Sequence, residues 1–224
     1  MNVKPLVSII LGTRPEAIKL APVILAFKKC SFIRTRVIIS GQHREMVDQV
    51  MNFFDIKPDF SLEIMVKNQS LTYITSSVIN GLEKEFLDNR PDLFLVQGDT
   101  STAFSASLAA FYAKIPIGHV EAGLRTNDLN NPFPEEANRK LISQLSSIHF
   151  APTTTSAQNL ISSDVIGEVH VTGNTVVDAL MQTPSKDPYT IIKDIAWGTK
   201  KIILTTIHRR ENWGNNLLSI IEGI

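Results

Sequence analysis

Acidic residues stand at three points of the sequence where they could act on a bound substrate. Asp99 follows the apolar run Leu93–Gln97, Glu121 follows the run Pro116–Val120, and Glu135 opens a segment with helical periodicity. Each also has an ordinary explanation, because Asp99 suits a helix N-cap and acidic residues in a first helical turn offset the helix dipole. Taken together, carboxylates at strand and helix ends suit acid and base chemistry on an anionic substrate.

Cations occupy comparable positions after the first apolar run. Arg14 and Lys19 lie where a helix is predicted to begin, and the free N–H groups of a helix N-terminus attract phosphate. The alternative is a structural turn, because Gly12 permits a tight bend and Thr13 and Glu16 have the spacing of a capping box. The pattern leaves phosphate contact and simple capping both open.

His208 and Arg209 form a second cationic group, directly after the apolar run Lys201–Thr206 and its neighbour Ile207. A histidine followed by arginines at a strand end is suited to binding a diphosphate. The alternative is a solvated run of charges at the surface.

Local ion pairs are the structural alternative for two of the carboxylates. Arg125 lies four residues after Glu121, and Arg139 lies four residues after Glu135, so each arginine is a candidate partner. The single cysteine, Cys30, and the absence of metal-ligand spacing among the histidines predict neither a disulfide framework nor a metal site.

The elements that must position these residues alternate between short apolar strands and amphipathic helices. Strands are predicted at Leu6–Leu11, Thr35–Ser40, Leu93–Gln97, Pro116–Val120, Ile148–Pro152, Glu168–Thr172 and Lys201–Thr206. Helices are predicted near 16–29, 43–54, 70–88, 101–113, 135–146, 154–162 and 174–181. Continuously apolar strands are typical of a parallel sheet covered on both faces. The pattern predicts an α/β fold with a doubly wound parallel sheet, whose ligands bind at the carboxyl ends of the strands.

The pattern changes near residue 183, where prolines and charged residues interrupt the periodicity. We expect a first domain over residues 1–182, an interdomain connection over 183–200, and the first β-α unit of a second domain over 201–224.

Composition excludes several classes of function. Lysine and arginine total 22 and aspartate and glutamate total 22, so the net charge is zero and no field draws in nucleic acid or an anionic membrane. No apolar stretch approaches the roughly 20 residues that cross a bilayer. A single cysteine and no convincing signal sequence predict a cytoplasmic protein.

Seven blocks of the sequence, in order, match one known family. They are residues 12–19 (GTRPEAIK), 41–44 (GQHR), 98–100 (GDT), 118–126 (GHVEAGLRT), 132–139 (PFPEEANR), 171–175 (VTGNT) and 208–212 (HRREN). With these blocks the sequence resembles the bacterial non-hydrolysing UDP-N-acetylglucosamine 2-epimerases.

The resemblance implies two Rossmann-like domains of the glycosyltransferase-B type, with the active site in the cleft between them. It implies interconversion of UDP-N-acetylglucosamine and UDP-N-acetylmannosamine, by anti elimination of UDP through a 2-acetamidoglucal, in supply of surface polysaccharide. It further implies a homodimer that binds UDP-N-acetylglucosamine and UDP and needs no cofactor or metal.

The resemblance also assigns residues. The implied catalytic residues are Asp99, Glu121, Glu135 and His208. The implied substrate-binding residues are Arg14, Lys19, Asp99, Glu121, Arg139, His208 and Arg209. Gln42 and His43 lie in a segment that some bacterial members use near a second, regulatory site for UDP-N-acetylglucosamine.

The sequence departs from the family in two respects. Ile207 stands where the family usually has a small residue, and the chain ends before the family's glycine- and serine-rich uridine-diphosphate segment. We therefore expect an amino-terminal portion that does not epimerise alone. The alternatives are a hydrolysing 2-epimerase, a glycosyltransferase of the same fold, and a non-catalytic nucleotide-sugar-binding regulator.

Overall fold

The computed structural model describes residues 4–41, 44–183, 198–199, 201–206 and 214–223. The chain divides into two compact units, Met1–Thr183 and Pro184–Ile224. In the first unit the strands are β1 (Leu6–Leu11), β2 (Arg34–Ile39), β3 (Phe60–Ser61), β4 (Leu93–Gln97), β5 (Ile117–Val120), β6 (Ile148–Ala151) and β7 (Glu168–Val171). Its helices are α1 (Arg14–Lys29), α2 (Arg44–Phe53), α3 (Leu71–Asp88), α4 (Ser101–Tyr112), α5 (Glu135–Leu145), α6 (Thr154–Ile161) and α7 (Thr175–Met181).

The seven strands that the structure describes form one parallel sheet, in the order β3-β2-β1-β4-β5-β6-β7. From β1 the sheet extends on one side through β2 to β3. The next strand, β4, pairs with the opposite edge of β1, and β5, β6 and β7 follow on that side. The carboxyl ends of β1 and β4 therefore lie side by side at the point where the strand order reverses. In doubly wound sheets this switch point is where ligands bind.

Side chains of alternate strand residues enter two separate cores, one on each face of the sheet. Ile9 and Leu11 of β1 pack with α1 and α2, whereas Ile10 packs with α3 and α4. All six residues of β1 are buried, as expected for a central strand covered on both faces. This arrangement confirms the predicted doubly wound parallel α/β fold.

The predicted strands and helices of the first unit agree with the structure to within about two residues at each end. The short strand β3, of two residues, was not predicted, because two residues carry no readable periodicity. Within the described part of the chain, no helix is both long and apolar enough to cross a bilayer.

The second unit differs from the expected β-α unit. Residues 201–206, predicted as a strand, have no regular secondary structure, and Ile203 and Leu204 are 84% and 89% exposed. A strand forms only by pairing with a neighbouring strand. The described residues of this unit contain no strand with which residues 201–206 could pair. One helix, α8 (Asn215–Glu222), follows.

Candidate functional site

The turn between β1 and α1 is built around a buried carboxylate. Glu16 accepts hydrogen bonds from the backbone N–H groups of Gly12 and Thr13, at 3.0 and 2.7 Å, and from the Thr13 hydroxyl at 2.8 Å. Its other oxygen accepts from the Thr100 hydroxyl at 2.8 Å. Burial raises the pKa of Glu16, against the lowering by these hydrogen bonds. Glu16 thus joins the turn after β1 to the turn after β4, across the switch point.

Close packing explains the glycine in this turn. A Cβ at Gly12 would overlap the hydroxyl oxygen of Ser40 and lie 2.6 Å from that of Thr102. Only glycine allows the chain to leave β1 so close to its neighbours. Glycine is therefore required at position 12 by contacts with Ser40 and Thr102, in addition to the predicted tight turn.

Glu121 begins the segment after β5 and, like Glu16, accepts four hydrogen bonds. Its oxygens accept from Lys19 Nζ at 2.7 and 2.6 Å, from Gln97 Nε2 at 2.5 Å and from Asn174 Nδ2 at 2.9 Å. A carboxylate has about four lone-pair positions, so these four contacts use its accepting capacity. Its backbone adopts φ +63°, a left-handed conformation that is uncommon outside glycine and recurs at functional sites.

The local partner considered for Glu121 was wrong. Arg125 donates instead to Ser143 Oγ and to the backbone oxygen of Leu124, both at 2.9 Å. The salt bridge forms with Lys19, whose side chain is 24% exposed, while that of Glu121 is 9% exposed. The carboxylate is thus neutralised by a residue from the first helix of the fold.

Asp99, directly after β4, is held by Arg139 of α5. Arg139 Nε and Nη2 both reach Asp99 Oδ2, at 2.8 and 2.7 Å. Burial alone lowers the pKa of Arg139, but the charge of Asp99 and hydrogen bonds to Glu136 and Asp99 outweigh it and raise the pKa. The hydrogen bond and salt bridge of the Asp99 side chain within the described residues both use Oδ2, which leaves Oδ1 without a partner there, and the side chain is 25% exposed.

Glu135 lies at the start of α5 and does not pair with Arg139 among the described contacts. Arg139 binds Asp99 and Glu136 instead, so the local ion pair considered as the structural alternative for Glu135 was wrong. Glu135 Oε2 is buried and has no hydrogen-bond partner within the described chain. A buried acceptor without a donor is costly, and a donor group on a ligand would satisfy it.

Arg14 is exposed in the first turn of α1 and makes no hydrogen bond or ion pair within the described part of the chain. It borders a cavity of about 330 Å³ between α1, α2 and α7. The other lining residues are Ile18, Gln49, Val50, Phe53, Phe54, Val176, Ala179, Leu180 and Thr183. Phosphate binding by Arg14 stays a prediction.

Four predicted site residues lie outside the described residues: His208, Arg209, Gln42 and His43. Within the described residues, no group of three or more His, Cys, Asp or Glu side chains is arranged to hold a metal ion.

A family model described as UDP-N-acetylglucosamine 2-epimerase matches residues 25–224. The chain belongs to this family. The Neisseria meningitidis UDP-N-acetylglucosamine 2-epimerase is 52% identical over 225 residues, which cover 95% of this chain and 60% of that protein. The Escherichia coli K12 relative of the same name is 46% identical over 226 residues, 96% of this chain and 60% of that protein. The chain thus spans about 60% of the length of these curated relatives.

Solved structures of 2-epimerases are also similar to this chain. A Neisseria meningitidis UDP-GlcNAc 2-epimerase bound to UDP-GlcNAc has a TM-score of 0.75 at 57% identity, covering 79% of this chain and 48% of that one. A Staphylococcus aureus protein solved with UDP has a TM-score of 0.83 at 41% identity, covering 98% and 60%. A galactosyltransferase at 13% identity, with a TM-score of 0.54, shares the fold alone.

Sequence reasoning missed three residues of this epimerase-family site. Gln97 and Asn174 hold Glu121, and Glu136 holds Arg139. Gln97 ends β4 and Asn174 caps α7, so each already had a complete local explanation. The available signal was their position, since Asn174 and Glu136 lie within family blocks and Gln97 directly precedes one.

Proposed function

We propose that this protein is a non-hydrolysing UDP-N-acetylglucosamine 2-epimerase, which interconverts UDP-N-acetylglucosamine and UDP-N-acetylmannosamine. The observation that carries the proposal is a pair of carboxylates at the ends of adjacent strands, each neutralised by a cation from another element. Asp99 pairs with Arg139 and Glu121 pairs with Lys19. Relatives of this name at 46–52% identity support the proposal.

The chemistry explains why such carboxylates are needed. The proton on C2 of the sugar is not next to a carbonyl group, so it cannot be removed directly near neutral pH. In the proposed elimination, a base takes the C2 proton, the C1–O bond to UDP breaks, and a C1=C2 double bond forms. UDP then adds back to C1, and an acid delivers a proton to the opposite face of C2.

The contacts favour different tasks for the three carboxylates. Asp99 keeps Oδ1 without a partner among the described residues and is partly exposed, so it is best suited to accept the C2 proton. Glu121 has its accepting capacity filled by Lys19 and two amides, which suits electrostatic stabilisation of positive charge at C1. Glu135 has a buried oxygen without a donor, and we assign it to the opposite face of the sugar.

Cations would stabilise the departing diphosphate. Arg14 is exposed beside the N-terminus of α1, where free N–H groups also favour an anion. We propose that His208 and Arg209, as the family resemblance implies, complete this site. The S. aureus relative solved with UDP supports UDP as the leaving group.

The proposal extends to context and regulation. The enzyme would be a cytoplasmic homodimer that supplies surface polysaccharide synthesis, with Gln42 and His43 at a regulatory substrate site. Residues 1–182 would form the first domain, 183–200 the connection, and 201–224 the start of a UDP-binding domain. Residues 1–224 alone would not epimerise, because the matched relatives are longer by about two-fifths of their length.

The test uses residues 1–224 and a chimera that joins them to the carboxyl-terminal remainder of the Neisseria meningitidis relative. In deuterated water, we expect the chimera to put deuterium at C2 of UDP-bound product, while residues 1–224 alone give no turnover. Retention of protium at C2 would contradict elimination. Release of free N-acetylmannosamine would instead identify a hydrolysing enzyme.

Variants test the residue assignments. Asp99→Asn, Glu121→Gln and Glu135→Gln should each lower turnover of the chimera by about 10²–10⁴-fold, the usual contribution of an acid or base. Glu83→Gln is the matched control, because Glu83 is exposed on α3. Normal turnover in the three site variants would refute the assignment.

A further inference from the structure

Glu136 is fully buried, although it lies beside the partly exposed Glu135. It accepts hydrogen bonds from Arg139 Nη1 at 3.0 Å, from the Thr126 backbone N–H at 3.1 Å and from that of Asn127 at 3.4 Å. Burial by itself raises the pKa of Glu136, but these donors outweigh it and lower the pKa. Glu136 is therefore a buried carboxylate held in its charged form.

Glu136 completes a row of alternating charges that runs from the interior to Asp99. Asp99 contacts Arg139 at 2.7 Å, and Arg139 contacts Glu136 at 3.0 Å. Burial lowers the pKa of Arg125, the charge of Glu136 raises it, and the charge of Arg139 lowers it. The charge of Glu136 thus offsets the repulsion between the Arg125 and Arg139 guanidinium groups.

The hydrogen bonds fix the plane of the Arg139 guanidinium. Nε and Nη2 both point to one oxygen of Asp99, and Nη1 points to Glu136 on the other side. A planar group bound on two sides cannot rotate without losing a charge-assisted hydrogen bond. In this orientation both contacts fall on Asp99 Oδ2, and neither falls on Oδ1.

We propose that Glu136 is a positioning residue for the epimerisation. It holds Arg139 so that Asp99 is bound through Oδ2 and presents Oδ1 to the substrate. This assignment rests on the proposed function, in which Asp99 accepts the C2 proton. Glu136 does not touch the substrate itself.

Glu136→Gln removes the charge with little change of shape. Arg139 Nη1 and the Thr126 N–H both donate to Oε2, and the Asn127 N–H donates to Oε1. The amide has one acceptor oxygen for these two positions, and in either orientation it offers Arg139 no negative charge. The repulsion between Arg125 and Arg139 is then no longer offset by the charge of Glu136. We expect the Arg139 guanidinium to turn away from Asp99. A displacement of about 1 Å at a reacting group costs about 10²-fold in turnover.

Glu85→Gln is the matched control. Glu85 is 4% exposed and pairs with Arg36 at 2.6 Å, so this variant also removes one carboxylate from an arginine pair. Arg36 lies in β2 and Glu85 in α3, and neither contacts Asp99 or Arg139 in the described structure.

The first measurement is the Arg139 Nε–H signal in ¹H–¹⁵N spectra of residues 1–224, assigned by its disappearance in Arg139→Lys. We expect slow solvent exchange in the parent protein and in Glu85→Gln, and at least tenfold faster exchange in Glu136→Gln. Unchanged exchange in Glu136→Gln would overturn the proposal. This measurement does not depend on epimerase activity, so it stands even where the proposed function fails.

The second measurement is turnover of the chimera. Glu136→Gln should lower kcat about 10²-fold with KM changed less than about threefold, and Glu85→Gln should change neither. Glu136→Asp keeps the charge on a shorter side chain and should fall between the parent and Glu136→Gln in kcat and in Arg139 exchange. If Glu136→Gln does not fold, Glu136→Asp carries both comparisons. A folded variant with reduced stability but parental kcat and parental Arg139 exchange would show that Glu136 is merely structural.

Discussion

Removing the Lys19 charge should destabilise the first unit through Glu121. The variant is Lys19→Met, which keeps the length of the side chain and removes its ammonium group. It leaves Glu121, whose side chain is 9% exposed, with only the Gln97 and Asn174 amides as donors. A nearly buried carboxylate without its cation is the costly species.

The magnitude follows from the burial of the two partners. Removing one partner of a buried pair costs about 3–5 kcal/mol, whereas an exposed pair contributes about 0–1 kcal/mol. Because Lys19 is 24% exposed and Glu121 is 9% exposed, we expect a loss of about 2–3 kcal/mol in the free energy of unfolding. For a unit of this size, that corresponds to a fall in Tm of about 4–12 °C.

Urea unfolding followed by circular dichroism at 222 nm measures the effect. Lys28→Met is the matched control, because Lys28 is exposed in the last turn of the same helix and should change stability by less than about 0.5 kcal/mol. The double variant with Glu121→Gln should recover part of the loss, with a coupling energy of about 2 kcal/mol. Equal stability of the two lysine variants, with zero coupling to Glu121, would refute the reasoning.

Two further predictions concern a backbone position and a buried histidine. Gly123→Ala should cost more than about 2 kcal/mol in unfolding free energy, because φ is +89° and a Cβ would overlap the Ser156 carbonyl oxygen. Gly173→Ala, at φ +81° in open space, should cost only about 1–2 kcal/mol. Burial lowers the pKa of His119 from 6.5 to about 4, so the unfolded chain binds the proton more tightly. Stability should therefore fall as pH falls from about 6.5 to about 4, by about 3 kcal/mol from this residue, and His119→Gln should remove that part of the slope.

For each of these two predictions, one result would contradict the reasoning. Similar losses for the two glycine variants in urea unfolding would show that contact with Ser156 does not matter. For the histidine, unfolding free energies are compared at several pH values, with His170→Gln as control because its side chain is half-exposed. A parental pH slope in His119→Gln would contradict the assignment.

Much of the first unit could be predicted because its signals are local. In α3, the positions Ile74, Val78, Leu82 and Phe86 recur every four residues, and all four are buried. The continuously apolar run of β1 likewise predicts a strand covered on both faces, and the structure confirms it. Periodicity of this kind depends on the geometry of one element, so it is readable without knowledge of its neighbours.

The same locality explains where sequence reasoning failed. Residues 201–206 have the composition of a strand, but a strand needs a partner, and the described residues of that unit provide none. The local ion pairs considered for Glu121 and Glu135 did not form. Spacing of four residues makes such a pair possible, but it cannot exclude a stronger partner elsewhere.

The sequence by itself determined the class of fold, the carboxylates at the strand and helix ends, and the family. Only the tertiary structure decided which charges meet. Lys19 reaches Glu121 across 102 residues of chain and Arg139 reaches Asp99 across 40. Both pairings follow from the strand order β1-β4-β5, which brings distant turns to one edge of the sheet. Hydrophobic periodicity does not encode that order, because each strand is equally apolar whichever neighbour it pairs with.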